Sequence, residues 1–308
     1  MKVFVAGASG AIGTPLVRQL LAAGHQVTGM TRREERAERL REAGAAAVVC
    51  DAFDAEALRE AVVAARPEAV VHLLTALPPK FSPKADLGPT NRVRAEGSRN
   101  LLAAARAAGA RRLVAESIAF AYAPRGERVK DEEAELFLDA PGPTGETMAA
   151  VADLEGQVTG AEGIEGVVLR YGFLYGPGTY YAADGSQAED ARRRRSPIVG
   201  AGTGIFSFVH VDDAAAATVA ALERGAGIYN VVDDEPAAMS EWLPVYAEAL
   251  GAKPPRRVPV WLARLVAGAG AAGQALELRG ASNAKAKREL GWQPAHPSWR
   301  QGFAASLR

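Results

Sequence analysis

The chain has 308 residues, and its 36 basic side chains are balanced by 36 acidic ones. This balance argues against a general nucleic-acid binder, which needs an excess of positive charge to neutralise phosphates. The single cysteine, Cys50, excludes an intrachain disulfide and a metal site built from several cysteines. It also favours a reducing compartment, so the expected location is the cytoplasm.

Neither an export signal nor a membrane span is expected from the apolar segments. The apolar run at the start of the chain ends at Gly7, which is too early for a signal peptide. The most apolar later stretch, residues 261–278, contains Arg264 and Glu277. It falls short of the roughly 18 uncharged residues that a membrane span needs. We therefore expect a packed helix there and no membrane partner.

Short apolar runs alternate with longer helical patterns along the chain. Strands are predicted at residues 2–6, 26–31, 46–50, 69–74, 112–115 (as the start of a strand), 167–170, 208–211 and 228–232. Helices are predicted at residues 14–23, 33–43, 55–65, 91–108 and 147–159. Because parallel strands need a crossover, usually a helix, this alternation predicts an α/β fold with a doubly wound parallel sheet.

The pattern becomes less regular after residue 173 and divides the chain into two parts. We expect residues 1–172 and about 209–235 to form the sheet domain. The segments at about 173–208 and 236–308, rich in glycine, tyrosine and proline, are expected to form a smaller, interleaved lobe that binds the substrate.

The strongest motif follows the first strand directly and opens the first helix. Gly7 permits a tight turn, Gly10 lets a pyrophosphate approach the backbone, and Gly13 lets the helix pack closely on the strand. The helix N-terminus then offers free N–H groups and a positive dipole end to the phosphates. The pattern predicts a Rossmann dinucleotide-binding site that uses Gly7, Ser9, Gly10, Ala11, Ile12 and Gly13.

The end of the second strand bears on the choice between NAD and NADP. An enzyme that uses NAD usually has an acidic residue there, which binds the ribose 2′-hydroxyl. This chain has Arg32 and Arg33 instead, and two guanidinium groups suit a 2′-phosphate. The sequence therefore predicts NADP, with NAD as the less favoured cofactor. The alternative is that the two arginines merely begin a solvated helix.

Several further motifs resemble the extended short-chain dehydrogenase/reductase superfamily, in its NAD-dependent epimerase/dehydratase-like group. The similarity extends over residues 170–178, 208–213 and 285–294. The resemblance implies that the cofactor also contacts Asp51 and Ala52 after the third strand, Leu73, Leu74 and Thr75 after the fourth, and Tyr171 and Phe173 after the sixth.

The chain departs from this family at the residues that usually carry catalysis. The family uses a Tyr-x-x-x-Lys pair, in which the lysine lowers the pKa of a tyrosine that acts as acid or base. Alignment on Glu155 places Thr147 and Val151 at these two positions, and neither can do this work. Ser117 and Tyr122 are the predicted substitute hydroxyls. The alternative is that Ser117 binds the backbone and Tyr122 packs in the core.

The substrate side also departs from the nucleotide-sugar members of the family. Phe206 and Phe173 stand where those members usually have an arginine and an asparagine, which argues for a smaller or more apolar substrate. Tyr175, Tyr180 and Tyr181 are predicted to line the mouth of the substrate pocket. The run of arginines at residues 192–195 fits either an anionic substrate or a solvated helix face. No histidine pair has metal-ligand spacing, so no metal is expected.

Three functions remain open from the sequence. The first is an NAD(P)-dependent oxidoreductase that acts on a small or moderately apolar carbonyl-type metabolite through a non-standard catalytic site. The second is an epimerase or dehydratase whose bound cofactor cycles internally. The third is an NADP-binding regulator without turnover. By analogy with the family, a homodimer is expected.

Overall fold

The computed structural model describes residues 1–80, 82 and 85–307. Its helices are α1 (Gly13–Ala22), α2 (Glu34–Glu42), α3 (Ala55–Ala65), α4 (Gly88–Arg92), α5 (Ser98–Ala107), α6 (Pro143–Thr159), α7 (Ser186–Arg192), α8 (Val211–Ala221), α9 (Met239–Ala249), α10 (Val260–Ala267), α11 (Ala269–Glu277), α12 (Ala284–Leu290) and α13 (Trp299–Ser306). A π-helical turn, Val93–Gly97, joins α4 to α5.

The strands divide into a central set and short pairs. They are β1 (Lys2–Ala6), β2 (Gln26–Thr31), β3 (Ala46–Val49), β4 (Ala69–His72), β5 (Arg112–Ile118), β6 (Val129–Lys130), β7 (Glu165–Tyr171), β8 (Phe173–Tyr175), β9 (Ile198–Val199), β10 (Ile205–Phe206), β11 (Phe208–His210), β12 (Gly227–Val231), β13 (Ala237–Ala238), β14 (Arg257–Val258) and β15 (Gly280–Ala281).

Seven parallel strands form the central sheet, in the order β12-β7-β5-β4-β1-β2-β3. The chain runs from β1 outward to β3 and then returns to the other side of β1, so the strand order reverses between β1 and β4. In such sheets the ligand lies beyond the carboxyl ends of the strands at this reversal. The prediction of a doubly wound α/β Rossmann fold is confirmed.

Helices cover both faces of this sheet. One face packs against α1, α8 and α12 through a cluster that contains Leu16, Leu169 and Leu290. The other face packs against α3, α5 and α6 through Leu58, Leu101 and neighbouring apolar side chains. Because the strands are buried on both faces, their sequences are nearly continuous apolar runs.

The later part of the chain forms a second core that is rich in aromatic rings. It contains Phe173, Tyr175, Phe206, Phe208, Trp242, Tyr246, Trp299 and Phe303. The C-terminal tail is tied back to the end of β12, because the backbone N–H of Trp299 donates to Asp233 Oδ2 at 2.8 Å. The domain boundaries expected from the sequence stay a prediction.

Several element boundaries differ from the sequence-based prediction. The helix predicted at residues 91–108 is interrupted by the π-helical turn, and α6 begins four residues earlier than predicted, at Pro143. The stretch at 261–278 forms α10 and α11, which are separated at Gly268 because that residue has a φ of +89°. No helix within the described ranges has the length and hydropathy needed to cross a bilayer.

Candidate functional site

The turn between β1 and α1 is built on glycines that leave no room for a side chain. Gly7 has a φ of +88°, and a Cβ atom there would lie 2.6 Å from the carbonyl oxygen of Leu73. A Cβ atom on Gly13 would lie 2.2 Å from the carbonyl oxygen of Gly7. The turn therefore packs directly against the end of β4, at the point where the strand order reverses.

The first turn of α1 presents unused backbone donors. The N–H of Gly10 is bonded to Gly7 O at 3.0 Å, whereas those of Ala11, Ile12 and Gly13 have no acceptor among the described residues. Free N–H groups at the positive end of a helix dipole bind phosphate oxygens. This narrow, donor-rich turn fits the pyrophosphate of a dinucleotide.

The residues predicted to contact the ribose and adenine lie on the β2 and β3 side of this turn. Ser9 Oγ is 3.3 Å from Thr31 Oγ1, which joins the turn to the end of β2. Arg32 and Arg33 follow Thr31 and are exposed, and neither forms an ion pair within the part of the chain that is described. Asp51 is also exposed, and its carboxylate accepts the N–H of Phe53 at 2.9 Å. Next to it, Ala52 is buried.

The end of β4 is held by a buried, neutral imidazole. His72 Nε2 lies 2.9 Å from Ser98 Oγ, and His72 Nδ1 accepts the N–H of Leu74 at 3.2 Å. Burial lowers the pKa of His72 to about 4, so this pair of bonds persists at neutral pH. The imidazole thereby fixes the backbone of the segment that was predicted to lie along the cofactor, in which Leu73 and Leu74 are half-buried and Thr75 is exposed.

Thr147 and Val151, which the sequence-based prediction aligns with the usual catalytic pair, supply neither a phenol nor a cation on α6. The Thr147 hydroxyl donates to Pro143 O at 3.0 Å and lies 3.3 Å from Asn91 Nδ2. Val151 is 1% exposed and packs in an apolar cluster with Met148. The face of α6 that would carry an acid and a cation is therefore apolar, apart from one satisfied hydroxyl.

The two predicted substitute hydroxyls belong to a buried polar network. Ser117 Oγ donates to Glu155 Oε1 at 2.6 Å, and Arg170 binds the same carboxylate through two nitrogens at 2.8 and 2.6 Å. Arg170 Nη1 also donates to the Tyr122 hydroxyl at 3.0 Å, and that hydroxyl donates to Asn230 Oδ1 at 2.6 Å. The network joins β5, α6, β7 and β12.

This network restrains the chemistry of both hydroxyls. Burial raises the pKa of Tyr122 to about 12, although the neighbouring Arg170 acts in the opposite direction. Ser117 is 1% exposed and directs its proton to a carboxylate that already holds a guanidinium. The catalytic role of Ser117 and Tyr122 stays a prediction, and the geometry favours a structural role for both.

A row of aromatic rings borders the carboxyl end of β5. Phe120 stacks on Phe173 with a centroid distance of 4.4 Å and an interplanar angle of 16°, and Phe173 contacts Phe206 at 4.8 Å. Phe173 and Phe206 are buried, whereas Phe120 is half-buried. No role was predicted for Phe120 from the sequence. Its place immediately after the strand that carries Ser117 is the signal that could have identified it.

Two of the tyrosines predicted to contact ligands are buried, with no side-chain surface left for a ligand. Tyr171 is 3% exposed and its hydroxyl lies 2.7 Å from Thr218 Oγ1 on α8, so only its backbone remains for a cofactor contact. Tyr175 is fully buried against Phe208, with its hydroxyl beside Gly302. The mouth position expected for Tyr175 is therefore wrong. Side chains two residues apart on a strand share a face, and β8 turns both Phe173 and Tyr175 into the aromatic core.

The loop after β8 folds back toward the dinucleotide turn. A Cβ atom on Gly178 would lie 4.0 Å from Ala11 Cα, and the half-buried Tyr180 donates its hydroxyl proton to Pro78 O. Tyr180 thus joins this loop to the segment after β4. A separate cleft of about 640 Å³, lined by residues that include Met1 and Glu68, lies at the amino ends of the strands. The glycine turn lies at their carboxyl ends, so this cleft does not belong to the same site.

Comparison with known proteins agrees with this geometry. A profile of the NAD dependent epimerase/dehydratase family matches residues 3–231. A 3-diazoavenalumate denitrifying reductase from a Streptomyces species is 51% identical over 306 residues, which cover 98% of this chain and 99% of that protein. A 4-hydroxy-2-methyl-3-oxo-4-farnesyl-3,4-dihydroquinoline-1-oxide ketoreductase from Stigmatella aurantiaca is 28% identical over 82% of this chain and 74% of its own length.

Solved structures show the same architecture. The UDP-glucose 4-epimerase of Thermus thermophilus, solved with NAD, has a TM-score of 0.75 at 28% identity and covers 100% of this chain and 98% of its own. The human epimerase family protein SDR39U1, solved with NADPH, has a TM-score of 0.76 at 21% identity over 100% and 99% of the two chains. The chain described here belongs to the NAD-dependent epimerase/dehydratase family and is an enzyme of that kind, with a nicotinamide dinucleotide as its cofactor.

Proposed function

We propose that this enzyme is an NADPH-dependent reductase that replaces the diazo group of a small aromatic compound by hydrogen and releases dinitrogen. The observation that carries the proposal is the apolar face of α6, where Thr147 and Val151 stand in place of the acid and the cation. The 51% identity with a denitrifying reductase that acts on a diazo compound supports the same assignment.

Reduction of a carbonyl group and reduction of a diazonium group differ in whether the product must be protonated. Reduction of a carbonyl group leaves an alkoxide, which a nearby acid must protonate. Reduction of an aryldiazonium carbon leaves no anion: hydride forms the new C–H bond, the C–N bond breaks, and its electron pair departs with N2. The products are a neutral arene, dinitrogen and the oxidised cofactor. A reductase of diazo compounds can therefore work without the tyrosine and lysine that a carbonyl reductase needs.

Two groups of residues in the site are proposed to bind different parts of the cofactor. Ala11, Ile12 and Gly13 would hold the pyrophosphate through their free N–H groups, and Arg32 and Arg33 would hold a 2′-phosphate, which makes NADPH the proposed cofactor. When bound, NADPH supplies the hydride. No acidic side chain replaces the arginines at the end of β2, which supports NADPH over NADH.

The aromatic row supports a planar substrate. Phe120 is stacked on Phe173 through one of its faces and remains half-buried, so a second planar ring can stack against its other face. Stacking holds a ring without requiring a polar partner, and this suits a site whose α6 face is apolar. Phe120, Phe173 and Phe206 are the residues that we propose to select an aromatic substrate.

A pair of matched probes tests the proposal. The enzyme would be given a methoxybenzenediazonium salt labelled with ¹⁵N, or the corresponding methoxybenzaldehyde, each with NADPH dideuterated at C4. We expect one labelled N2 and one new C–D bond on the ring for each NADPH consumed, at a rate well above that of the same mixture without protein. The aldehyde should be a poor substrate.

Each other outcome identifies one of the alternatives. Faster turnover of the aldehyde than of the diazonium salt would overturn the proposal in favour of carbonyl reduction. Purified enzyme that releases tightly held oxidised cofactor on denaturation, with no consumption of added NADPH, would indicate internal cycling. Binding of NADPH without turnover of either probe would indicate a regulator.

A further inference from the structure

Helix α10 buries Ala263 and exposes three of its large apolar side chains. Ala263 is 7% exposed and packs against Val199 and against Ala272 and Ala275 of α11. Trp261, Leu265 and Val266 are 68%, 77% and 65% exposed. The sequence predicts a packed helix at this place, and the structure packs Ala263 and Val260 but leaves these three large apolar side chains exposed. This orientation is the reverse of an ordinary surface helix, which turns its large apolar side chains toward the core.

The same surface is strongly basic. No acidic side chain occurs between Lys253 and Leu276, and the only uncharged polar side chain in that segment is Gln274. Strand pairing adds a second basic segment, because β14 pairs with β9 and Arg194 Nε donates to Pro254 O at 3.1 Å. The arginine run that the sequence left between two interpretations therefore lies beside the loop that leads to α10.

Together these segments form a surface that we call the basic hairpin face. Its apolar members are Trp261, Leu265 and Val266, and its cations are Arg194, Arg195, Lys253, Arg256, Arg257 and Arg264. None of the six cations forms an ion pair with any residue in the described ranges. The whole chain has no net charge, so this face is a local concentration of positive charge and not a consequence of composition.

Charge and chemistry restrict what can cover this face. A second copy of the chain is disfavoured, because a twofold interface would set the six cations against themselves. A specific protein partner would have to supply both carboxylates for these cations and an apolar pocket for Trp261 and Leu265, and the experiment below distinguishes it from a bilayer. Tryptophan, leucine and valine projecting among unpaired cations are instead typical of helices that lie in the headgroup region of a bilayer.

We propose that the basic hairpin face binds the surface of an anionic lipid bilayer, with Trp261 and Leu265 inserted at the headgroup level. The sequence predicts no membrane partner, and the proposal departs from that expectation in one respect only: the chain lies on the bilayer and does not span it. The inference is independent of the diazo chemistry, because it rests on residues outside the candidate active site.

The chain contains its own reporter for this interaction. Of its four tryptophans, Trp242, Trp292 and Trp299 are at most 4% exposed, so Trp261 is the one that faces solvent. Insertion of Trp261 into a bilayer should shift the tryptophan emission to shorter wavelength, and brominated lipid should quench it. The probe is the intact enzyme titrated with vesicles of equal parts phosphatidylglycerol and phosphatidylcholine, compared with vesicles of phosphatidylcholine alone.

Two sets of variants separate the apolar contribution from the charge. Trp261→Phe with Leu265→Ala should weaken vesicle binding, measured by flotation, at least tenfold. Arg256→Glu with Arg257→Glu should weaken it at least about 25-fold, at roughly fivefold for each cation lost from an anionic surface. The matched control is Arg36→Glu with Arg39→Glu on α2, which makes the same change of charge on another exposed helix and should leave flotation unchanged.

The results are decisive in either direction. A blue shift with anionic vesicles that is lost in added salt, and is absent with phosphatidylcholine, supports the proposal. Equal loss of flotation in the α2 control would overturn it, because binding would then follow net charge alone. Binding to polyglutamate with no change in emission on adding anionic vesicles would also overturn it and would assign the face to an acidic protein.

Discussion

The two arginines at the end of β2 determine, in our interpretation, which nicotinamide cofactor the enzyme prefers. Arg32 and Arg33 are exposed and free of ion pairs with described residues, so replacing both by alanine removes no contact that holds the fold. Each charge-assisted bond to a 2′-phosphate contributes about tenfold at its weaker end, which is the appropriate end for exposed side chains. The double variant should therefore bind NADPH about 100-fold more weakly.

The measurement is a fluorescence titration of the reduced cofactors. NADH lacks the 2′-phosphate, so its dissociation constant should change by less than about twofold in Arg32→Ala/Arg33→Ala. Arg36→Ala, one helical turn further along, provides a matched control for a lost surface charge and should leave both cofactors unaffected. Equal weakening of NADPH and NADH in the double variant would refute the assignment of the 2′-phosphate to these residues.

Three further experiments test the roles assigned to single residues. Ser117→Ala removes a hydrogen bond to a buried charge, so the free energy of unfolding measured in urea should fall by about 2 kcal/mol while turnover is retained. A 100-fold loss of kcat would instead make Ser117 catalytic. The pKa of His72 lies near 4 in the fold and near 6.5 unfolded, so the unfolded chain binds more protons between these values and stability falls as the pH falls. From about pH 7 to pH 5 the free energy of unfolding of the unsubstituted protein should fall by about 2 kcal/mol more than that of His72→Gln. An equal fall in both proteins would contradict the assignment. Phe120→Leu should raise KM for an aromatic substrate about three- to tenfold, and a loss confined to kcat would exclude the stacking role.

Local chemistry explains which parts of the site the sequence could predict. The close approach of Gly7 to Leu73 and of Gly13 to Gly7 leaves no room for a Cβ atom, so both positions require glycine. The dinucleotide turn can therefore be predicted from the amino-acid sequence. The same is true of the sheet, because buried parallel strands are apolar along their whole length. These features leave their mark on residue type directly, as glycine in the turn and as unbroken apolar runs in the strands.

The partners of Ser117 could not be predicted, because they come from three distant segments. The register of β5 and β7 sets Ser117 beside Arg170, and α6 then brings Glu155 between them. That register depends on how α6 packs on the sheet, which no local pattern specifies. Alternation along β5 indicated only that Ser117 and the next residue face opposite sides of the sheet. Only the structure shows that the Glu155–Arg170 ion pair lies on the same face of the sheet as the Ser117 side chain.

The buried ion pair and the two residues aligned with the usual catalytic pair are linked by helix α6, which carries Glu155, Thr147 and Val151. A buried Glu155–Arg170 pair is costly to break, so it fixes the helix firmly against the sheet. With α6 held at that end, Thr147 and Val151 are held near the end of β5, whatever their side chains are. Side-chain chemistry then decides which reaction this place can support: a tyrosine and a lysine would serve a carbonyl substrate, and the apolar face would suit the diazo substrate that we propose.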